Sequence, residues 1–169
     1  MMVFNSFNAG SFVYCNYYQG PNEINTYYNS KDGHYHSWIY LEYGQATAEV
    51  RDTEDMTTTP LYTDDQPAGS LIDQSRSQGK YVTTITTDQA CAMMLFNPIP
   101  ETDKLSIEIV KGAQTKTITA TDKRITIVCI SGSIDVNDSN LVTLKHAKVF
   151  PGKTATIVSA DNSVYALVS

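Results

Sequence analysis

The sequence has few basic residues, a single tryptophan and no long apolar run. It contains 12 Lys and Arg against 18 Asp and Glu, for a formal net charge of -6. Residues 1–100 hold eleven acids and four bases, whereas residues 101–169 hold seven acids and eight bases. A nucleic-acid partner needs basic side chains concentrated on one face. The shortage of bases in both halves therefore predicts that the chain does not bind nucleic acid.

The lack of long apolar stretches bears on membranes and secretion. No run approaches the roughly 20 apolar residues that a membrane helix requires. Residues 1–20 also lack the basic start and unbroken apolar core of a signal peptide, because Asn5, Asn8 and Asn16 interrupt them. We therefore expect a soluble protein with no signal peptide and no membrane contact, located in the cytoplasm or in a virus particle.

Cysteine is rare, and the three cysteines are far apart. Cys91 and Cys129 sit inside apolar runs, and no two cysteines have the spacing of a zinc or redox pair. A cysteine in an apolar run behaves as a small buried hydrophobe. We expect Cys15, Cys91 and Cys129 to be reduced structural thiols.

Helix signals are scarce, because apolar residues do not recur at three-and-four spacing without glycine, proline or β-branched runs between them. Strand signals are abundant and are separated by turn pairs such as Lys111-Gly112, Ser131-Gly132 and Pro151-Gly152. The predicted strands are 11–18, 37–43, 46–51, 81–86, 90–96, 105–110, 115–121, 124–130, 133–136, 141–144, 147–150, 154–159 and 164–168. Many short strands joined by tight turns predict an all-β sandwich or barrel.

A faint internal repeat suggests how these strands are organised. Residues 78–95 resemble residues 151–167: a Gly-Lys turn opens a strand rich in threonine, Asp and an amide residue follow, and an apolar strand ends the unit. The repeat predicts two tandem jelly-roll halves, residues 1–100 and 101–169, or one continuous β-sandwich built from them.

The first half carries an acidic insertion, residues 52–78, that the second half lacks. It holds six acids together with Pro60, Pro67 and Gly69, which is typical of a long surface loop. The spacing of the acids does not match a twelve-residue calcium-binding loop. We expect a solvated loop or a contact surface.

The segment Gly33–Gly44 is the one constellation that could carry chemistry. In a strand, His34, His36, Trp38, Tyr40 and Glu42 would share a face. The two imidazoles can reach one metal ion, but Glu42 lies six residues past His36. At about 3.3 Å per residue that is about 20 Å, too far for a shared ion. The segment thus offers His34 and His36 as metal ligands and Glu42 as a poor third.

This His-x-His pattern, followed by an apolar strand that ends in Gly44, resembles the cupin superfamily. The Phe150-Pro151-Gly152-Lys153 turn echoes the second motif of that family, a Pro-x-Gly turn. The resemblance implies a double-stranded β-helix and a divalent transition metal as a possible cofactor. Positions 37–41 contain no acid, and no histidine follows Gly79 or Gly152, so only His34 and His36 carry over as ligands.

A complete set of strands without a complete catalytic set favours a non-enzymatic cupin-like β-sandwich that acts as a structural or binding module. Eight of the 11 tyrosines fall between Tyr14 and Tyr43, and aromatic side chains are frequent at interfaces. We expect Tyr35, Trp38 and Tyr40 to form a binding or interface surface in a homo-oligomer or larger protein assembly. The composition also resembles accessory proteins of virus particles, which often use jelly rolls.

Two other hypotheses remain open at this point. One is a metal-dependent cupin, either an enzyme or a small-molecule binder, that uses His34 and His36. The other is a carbohydrate-binding jelly roll in which Trp38 and nearby tyrosines stack on sugar rings. No phosphate loop, dinucleotide fingerprint or nucleophile elbow adds an alternative.

Overall fold

The structure, a computed structural model, describes residues 2–8, 13–20, 23–30, 38–52, 62–73, 79–86, 91–98 and 104–169. The chain divides into two compact units. The N-terminal unit consists of Met1–Phe7 and Tyr14–Lys104, and the C-terminal unit consists of Asn8–Val13 and Leu105–Ser169. Among the described residues there is no helix, and the prediction of an all-β chain is confirmed.

Within the described residues, the N-terminal unit contains nine strands in two sheets. They are β1 (Met2–Asn8), β2 (Val13–Gly20), β3 (Glu23–Ser30), β4 (Trp38–Tyr43), β5 (Gln45–Asp52), β6 (Tyr62–Pro67), β7 (Leu71–Asp73), β8 (Gly79–Thr86) and β9 (Cys91–Pro98). The first sheet, N1, has the order β1-β2-β9-β4-β7, and the second sheet, N2, has the order β3-β8-β5-β6.

Residues 105–169 of the C-terminal unit form eight strands, also in two sheets. They are β10 (Ile107–Lys111), β11 (Gln114–Thr119), β12 (Ile125–Ser131), β13 (Ser133–Val136), β14 (Ser139–Val142), β15 (His146–Val149), β16 (Thr154–Ser159) and β17 (Val164–Val168). Sheet C1 has the order β10-β17-β12-β15, and sheet C2 has the order β11-β16-β13-β14. Apart from β1, the strand order of the N-terminal unit recurs here with every strand number raised by eight.

Residues 62–73 differ from the expectation of a surface loop. They form β6 and β7, and β6 pairs with β5 in a register that sets Tyr62 opposite Val50 and Asp65 opposite Thr47. Among the described residues, β6 is the last strand of sheet N2. The remaining parts of the insertion, residues 53–61 and 74–78, lie outside the described residues.

The core of the C-terminal unit lies between its two sheets. In sheet C2, alternate residues of each strand face this core. Ala155, Ile157 and Ser159 of β16 are buried, whereas the residues between them are exposed. Sheet C1 supplies Ile127 and Cys129 from β12 and further apolar residues from β10 and β17. The cluster comprises Val110, Ile118, Ala120, Ile127, Cys129, Ile134, Val136, Val149, Ala155, Ile157, Tyr165 and Leu167.

The hairpin that joins β13 to β14 turns on two residues with left-handed backbone. Asn137 has φ 48° and Asp138 has φ 65°, which is the conformation that a two-residue type I′ turn requires. The Asn137 side chain also accepts a hydrogen bond from the Thr156 backbone N–H at 2.9 Å. The turn is thereby tied to β16 and fixes the register of the hairpin.

No helix among the described residues is both long and apolar enough to cross a membrane.

Two glycines of the C-terminal unit with similar backbone conformations provide a matched test of how tightly the turn at Gly132 is packed. Gly132 and Gly152 have φ 74° and 77°. A Cβ on Gly132 would lie 2.8 Å from the Asn162 carbonyl oxygen and 3.0 Å from the Ser163 Cα, whereas a Cβ on Gly152 would meet nothing within 4 Å. Gly152→Ala should lower the free energy of unfolding by roughly 1–2 kcal/mol, the cost of left-handed backbone. Gly132→Ala should cost about 1–3 kcal/mol more, because the methyl group overpacks the site.

Urea unfolding of the two variants beside wild type measures both losses. Equal losses would mean that the backbone at Asn162 moves aside at no cost.

Candidate functional site

The structure divides the site residues predicted from the sequence into two groups. His34, Tyr35 and His36 lie outside the described residues, so their role as metal ligands or contact residues stays a prediction. Trp38 and Tyr40 lie on β4, whose first residue is Trp38. Alternation along β4 sets Trp38 and Tyr40 on one face of sheet N1 and Ile39 on the other.

The two aromatic residues on β4 differ in exposure. Tyr40 is opposite Met94 of β9 and Leu71 of β7, and it is 1% exposed. Trp38 is opposite Phe96 and Asp73 and is half-buried, and Asp73 is exposed. Trp38 is therefore the one of the two predicted interface residues that reaches solvent, while Tyr40 packs inside the unit.

A hydrogen bond joins the two strands that flank β9 in sheet N1. The Tyr17 hydroxyl of β2 donates to the Oε2 atom of Glu42 on β4 at 2.8 Å. Tyr17 is 6% exposed and Glu42 is half-buried. A hydroxyl that donates to a carboxylate forms a charge-assisted bond, which is shorter and stronger than a neutral one. Nothing in the sequence paired these residues, because 25 positions separate them.

Cys15, which lies near Tyr17 on the same strand, has an unreactive thiol. Cys15 lies two residues before Tyr17 on β2, is fully buried and forms no disulfide. Burial raises the pKa of its thiol well above the usual range, because a thiolate would lose its hydration. Cys129 is also a buried free thiol. The structure thus agrees with the expectation of structural thiols at both positions.

The interior of the C-terminal unit offers no metal site. Its core cluster consists of apolar side chains, with the Tyr165 hydroxyl as a buried polar group that has no hydrogen-bond partner. Burial, and to a lesser extent Glu108, raises the pKa of Tyr165, so this hydroxyl stays protonated. No three His, Cys, Asp or Glu residues come together as metal ligands anywhere in the described part of the chain.

The third histidine of the chain lies on an edge strand. His146 begins β15, is opposite Val128 of β12 and is half-buried. Burial lowers the pKa of His146, and the charges of Lys148 and Lys145 lower it further. His146 is therefore neutral at neutral pH and stands apart from the segment that holds His34 and His36.

Comparison with known proteins identifies the fold. No protein-family model and no curated protein matches the chain. Among solved structures, the YhaK protein of Escherichia coli has a TM-score of 0.61 at 10% identity, over 99% of this chain and 91% of that one. A cupin 2 conserved barrel domain protein of Leptotrichia buccalis has a TM-score of 0.53 at 7% identity, over 97% and 86%.

A third neighbour is the pirin YhhW of Escherichia coli, solved in complex with nickel(II). It has a TM-score of 0.57 at 13% identity, over 92% of this chain and 80% of that one. Enzymes also occur among the solved structures that match. At these identities the likeness shows the fold alone, and the fold of this chain is that of the cupins.

The Tyr17–Glu42 hydrogen bond should contribute measurably to stability. Tyr17→Phe keeps the ring and removes the donor, so we expect the free energy of unfolding to fall by about 1.5 kcal/mol, typical of a bond to a charged group. Tyr43→Phe is the control, because Tyr43 is 42% exposed and its loss of a hydroxyl should change stability little. Equal effects in chemical denaturation would show that the bond adds nothing.

His146 should make stability depend on pH in a defined direction. Its folded pKa lies below the unfolded value of 6.5. Its contribution to the free energy of unfolding is therefore complete above pH 6.5 and is lost as the pH falls below 6.5 towards the folded pKa. His146→Gln should flatten this part of the stability profile, measured as the difference between variant and wild type. Identical pH profiles would contradict the assignment.

Proposed function

We propose that this chain is a non-enzymatic binding module with a cupin fold. In this proposal the C-terminal unit is a packed scaffold, and the N-terminal unit carries the binding surface. The module acts within a homo-oligomer or larger assembly, such as a virus particle.

The apolar interior of the C-terminal unit carries this proposal. Twelve core residues fill the space between sheets C1 and C2, and their one orphaned polar atom is the Tyr165 hydroxyl. A ligand pocket needs a few convergent polar groups to orient its ligand. The unit also buries the Thr126 hydroxyl without a hydrogen-bond partner, but alternation along β12 sets Thr126 on the face of sheet C1 away from this core. Two separate hydroxyls provide no such set, so we assign recognition to the N-terminal unit.

The aromatic content of the N-terminal unit supports a binding role there. Trp38, the only tryptophan of the chain, is half-buried on β4 beside the exposed Asp73. An aromatic ring that is partly accessible next to a carboxylate suits contact with a polar partner.

Metal binding at His34 and His36 is the second candidate. The pirin neighbour was solved in complex with nickel(II), and imidazole is a good ligand for nickel, copper and zinc. Two histidines separated by one residue could hold one such ion, with water or other residues at the remaining positions. The described residues supply no set of three further ligands.

Native mass spectrometry after incubation with nickel(II) and buffer exchange separates the two candidates. We expect the binding module to retain no stoichiometric nickel. Retention of one ion per chain by wild type and by His146→Ala, but not by His34→Ala/His36→Ala, would overturn the proposal in favour of the metal site. His146→Ala is the matched control, because it removes the third histidine of the chain from a different unit.

A further inference from the structure

The hydrogen bonds of sheet C1 define which backbone groups its strand β15 turns outward. In an antiparallel ladder, paired residues alternate between those that exchange hydrogen bonds and those that do not. The Cys129 N–H donates to the Lys145 carbonyl at 3.0 Å, and the same register sets Thr126 opposite Lys148. Lys148 lies three residues past Lys145, so it falls at a position that exchanges no hydrogen bonds with β12. Its N–H and C=O therefore point away from β12.

The opposite side of the sheet gives the same alternation. Ser106 and Ser169 exchange two backbone hydrogen bonds, at 2.8 and 3.0 Å, on the side of β10. The next residue along β17, Val168, therefore directs its backbone to β12, where it is opposite Thr126. Thr126 in turn directs its backbone to β17. Both sides of the sheet thus assign the same outward direction to the backbone of Lys148.

The outer side of β15 is an open edge. Within the described residues, β15 is the last strand of sheet C1. The outward N–H and C=O of Lys148 form no hydrogen bond to a described residue. Backbone groups exposed in this way are a template for an added strand.

The side chains along this edge carry positive charge. Lys145 and Lys148 are exposed, and neither forms an ion pair with another residue in the described part of the chain. Their charges reach His146 between them, because both lysines lower its pKa. A strand added here meets a positive surface, which favours a partner with carboxylates.

An aromatic anchor lies just past the end of β15. Phe150 is 52% exposed, and the Arg124 guanidinium lies over its ring, 4.8 Å from the centroid. The Lys153 N–H donates to the Phe150 carbonyl at 3.0 Å and holds the turn that follows. A large apolar ring in a fixed place is a good anchor for a partner side chain.

We propose that the outer side of β15 binds an extended, acidic protein segment, which adds to sheet C1 as a further antiparallel strand. The residue of the partner opposite Lys148 exchanges two backbone hydrogen bonds with it. Side chains of directly paired residues lie on the same face, so an Asp or Glu at this position meets the Lys148 ammonium. An aromatic residue two positions earlier in the partner lies beside Phe150.

The backbone groups of the edge select the class of partner. A nucleic acid or an anionic lipid is also negative, but neither offers the N–H and C=O groups that extend a sheet. An extended protein segment offers both at every second residue. The proposal goes beyond the recognition assigned to the N-terminal unit and does not depend on it.

Fluorescence polarisation of a labelled peptide, titrated with the full chain at low ionic strength, tests the site. The probe is Thr-Tyr-Thr-Glu-Thr-Glu, whose first glutamate pairs with Lys148. We expect saturable binding that Lys148→Glu and Phe150→Ala each weaken about tenfold. The matched controls are Lys111→Glu, on the opposite edge strand of the same sheet, and Val158→Ala, an exposed apolar residue of sheet C2. Both should bind the peptide as wild type does.

Two N-methylated peptides distinguish strand addition from charge attraction alone, and they use the wild-type protein. A methyl group on the backbone nitrogen of the first glutamate removes the hydrogen bond to the Lys148 carbonyl and should abolish binding. A methyl group on the threonine before it points away from β15 and should be tolerated. Absence of binding, equal affinities of the two methylated peptides, or a Lys148→Glu variant that keeps both its melting temperature and its affinity would overturn the proposal.

Discussion

The central strands of sheets C1 and N1 are buried on both of their faces, and the rest of the molecule depends on this constraint. In sheet C1, Ile127 pairs with Leu167 on the core side, and Val128 pairs with Ala166 on the other side. These four residues are at most 8% exposed. Residues 92–96 of β9 are similarly buried at consecutive positions. Strands of this kind are apolar at nearly every position, with Thr126 of β12 as a buried exception. Most polar side chains therefore lie at strand ends, edges and turns.

This displacement explains where the polar features lie. The Tyr17–Glu42 hydrogen bond spans β9 near one end of β4, and the pairing of β4 with β9 shifts register between Leu41 and Tyr43. His146 and Lys148 occupy an edge strand, and Arg124 and Phe150 lie just beyond strand ends. Each position is one where a side chain can keep its hydration or meet a polar partner without opening the core.

The sequence predicts the C-terminal unit better than the N-terminal unit, for a physical reason. β16 alternates threonine or valine with buried residues, and its predicted range, 154–159, is the observed one. β3 and β6 were missed, because Glu23–Ser30 and Tyr62–Pro67 hold mainly polar residues and gain their order from pairing with β8 and β5. Strand propensity depends on such neighbours, which a single segment does not reveal.

The sequence predicts that Trp38 and Tyr40 lie on one strand, but it does not predict how exposed each of them is. Both lie on β4, where Tyr40 is buried while Trp38 is half-buried. That difference comes from the strands on either side of β4. The bond from Tyr17 to Glu42 likewise depends on the order β2-β9-β4, which no local pattern encodes.

Lys148 of β15 and Lys145, which directly precedes this strand, have a consequence for how copies of this chain avoid one another. An exposed edge strand is a template for adding a further strand, and two identical edges could join their sheets directly. Antiparallel pairing of β15 with its own copy would bring Lys148 and the neighbouring Lys145 of the two copies close together, where like charges repel. The edge thus discourages symmetrical sheet extension and the disordered aggregation that follows from it.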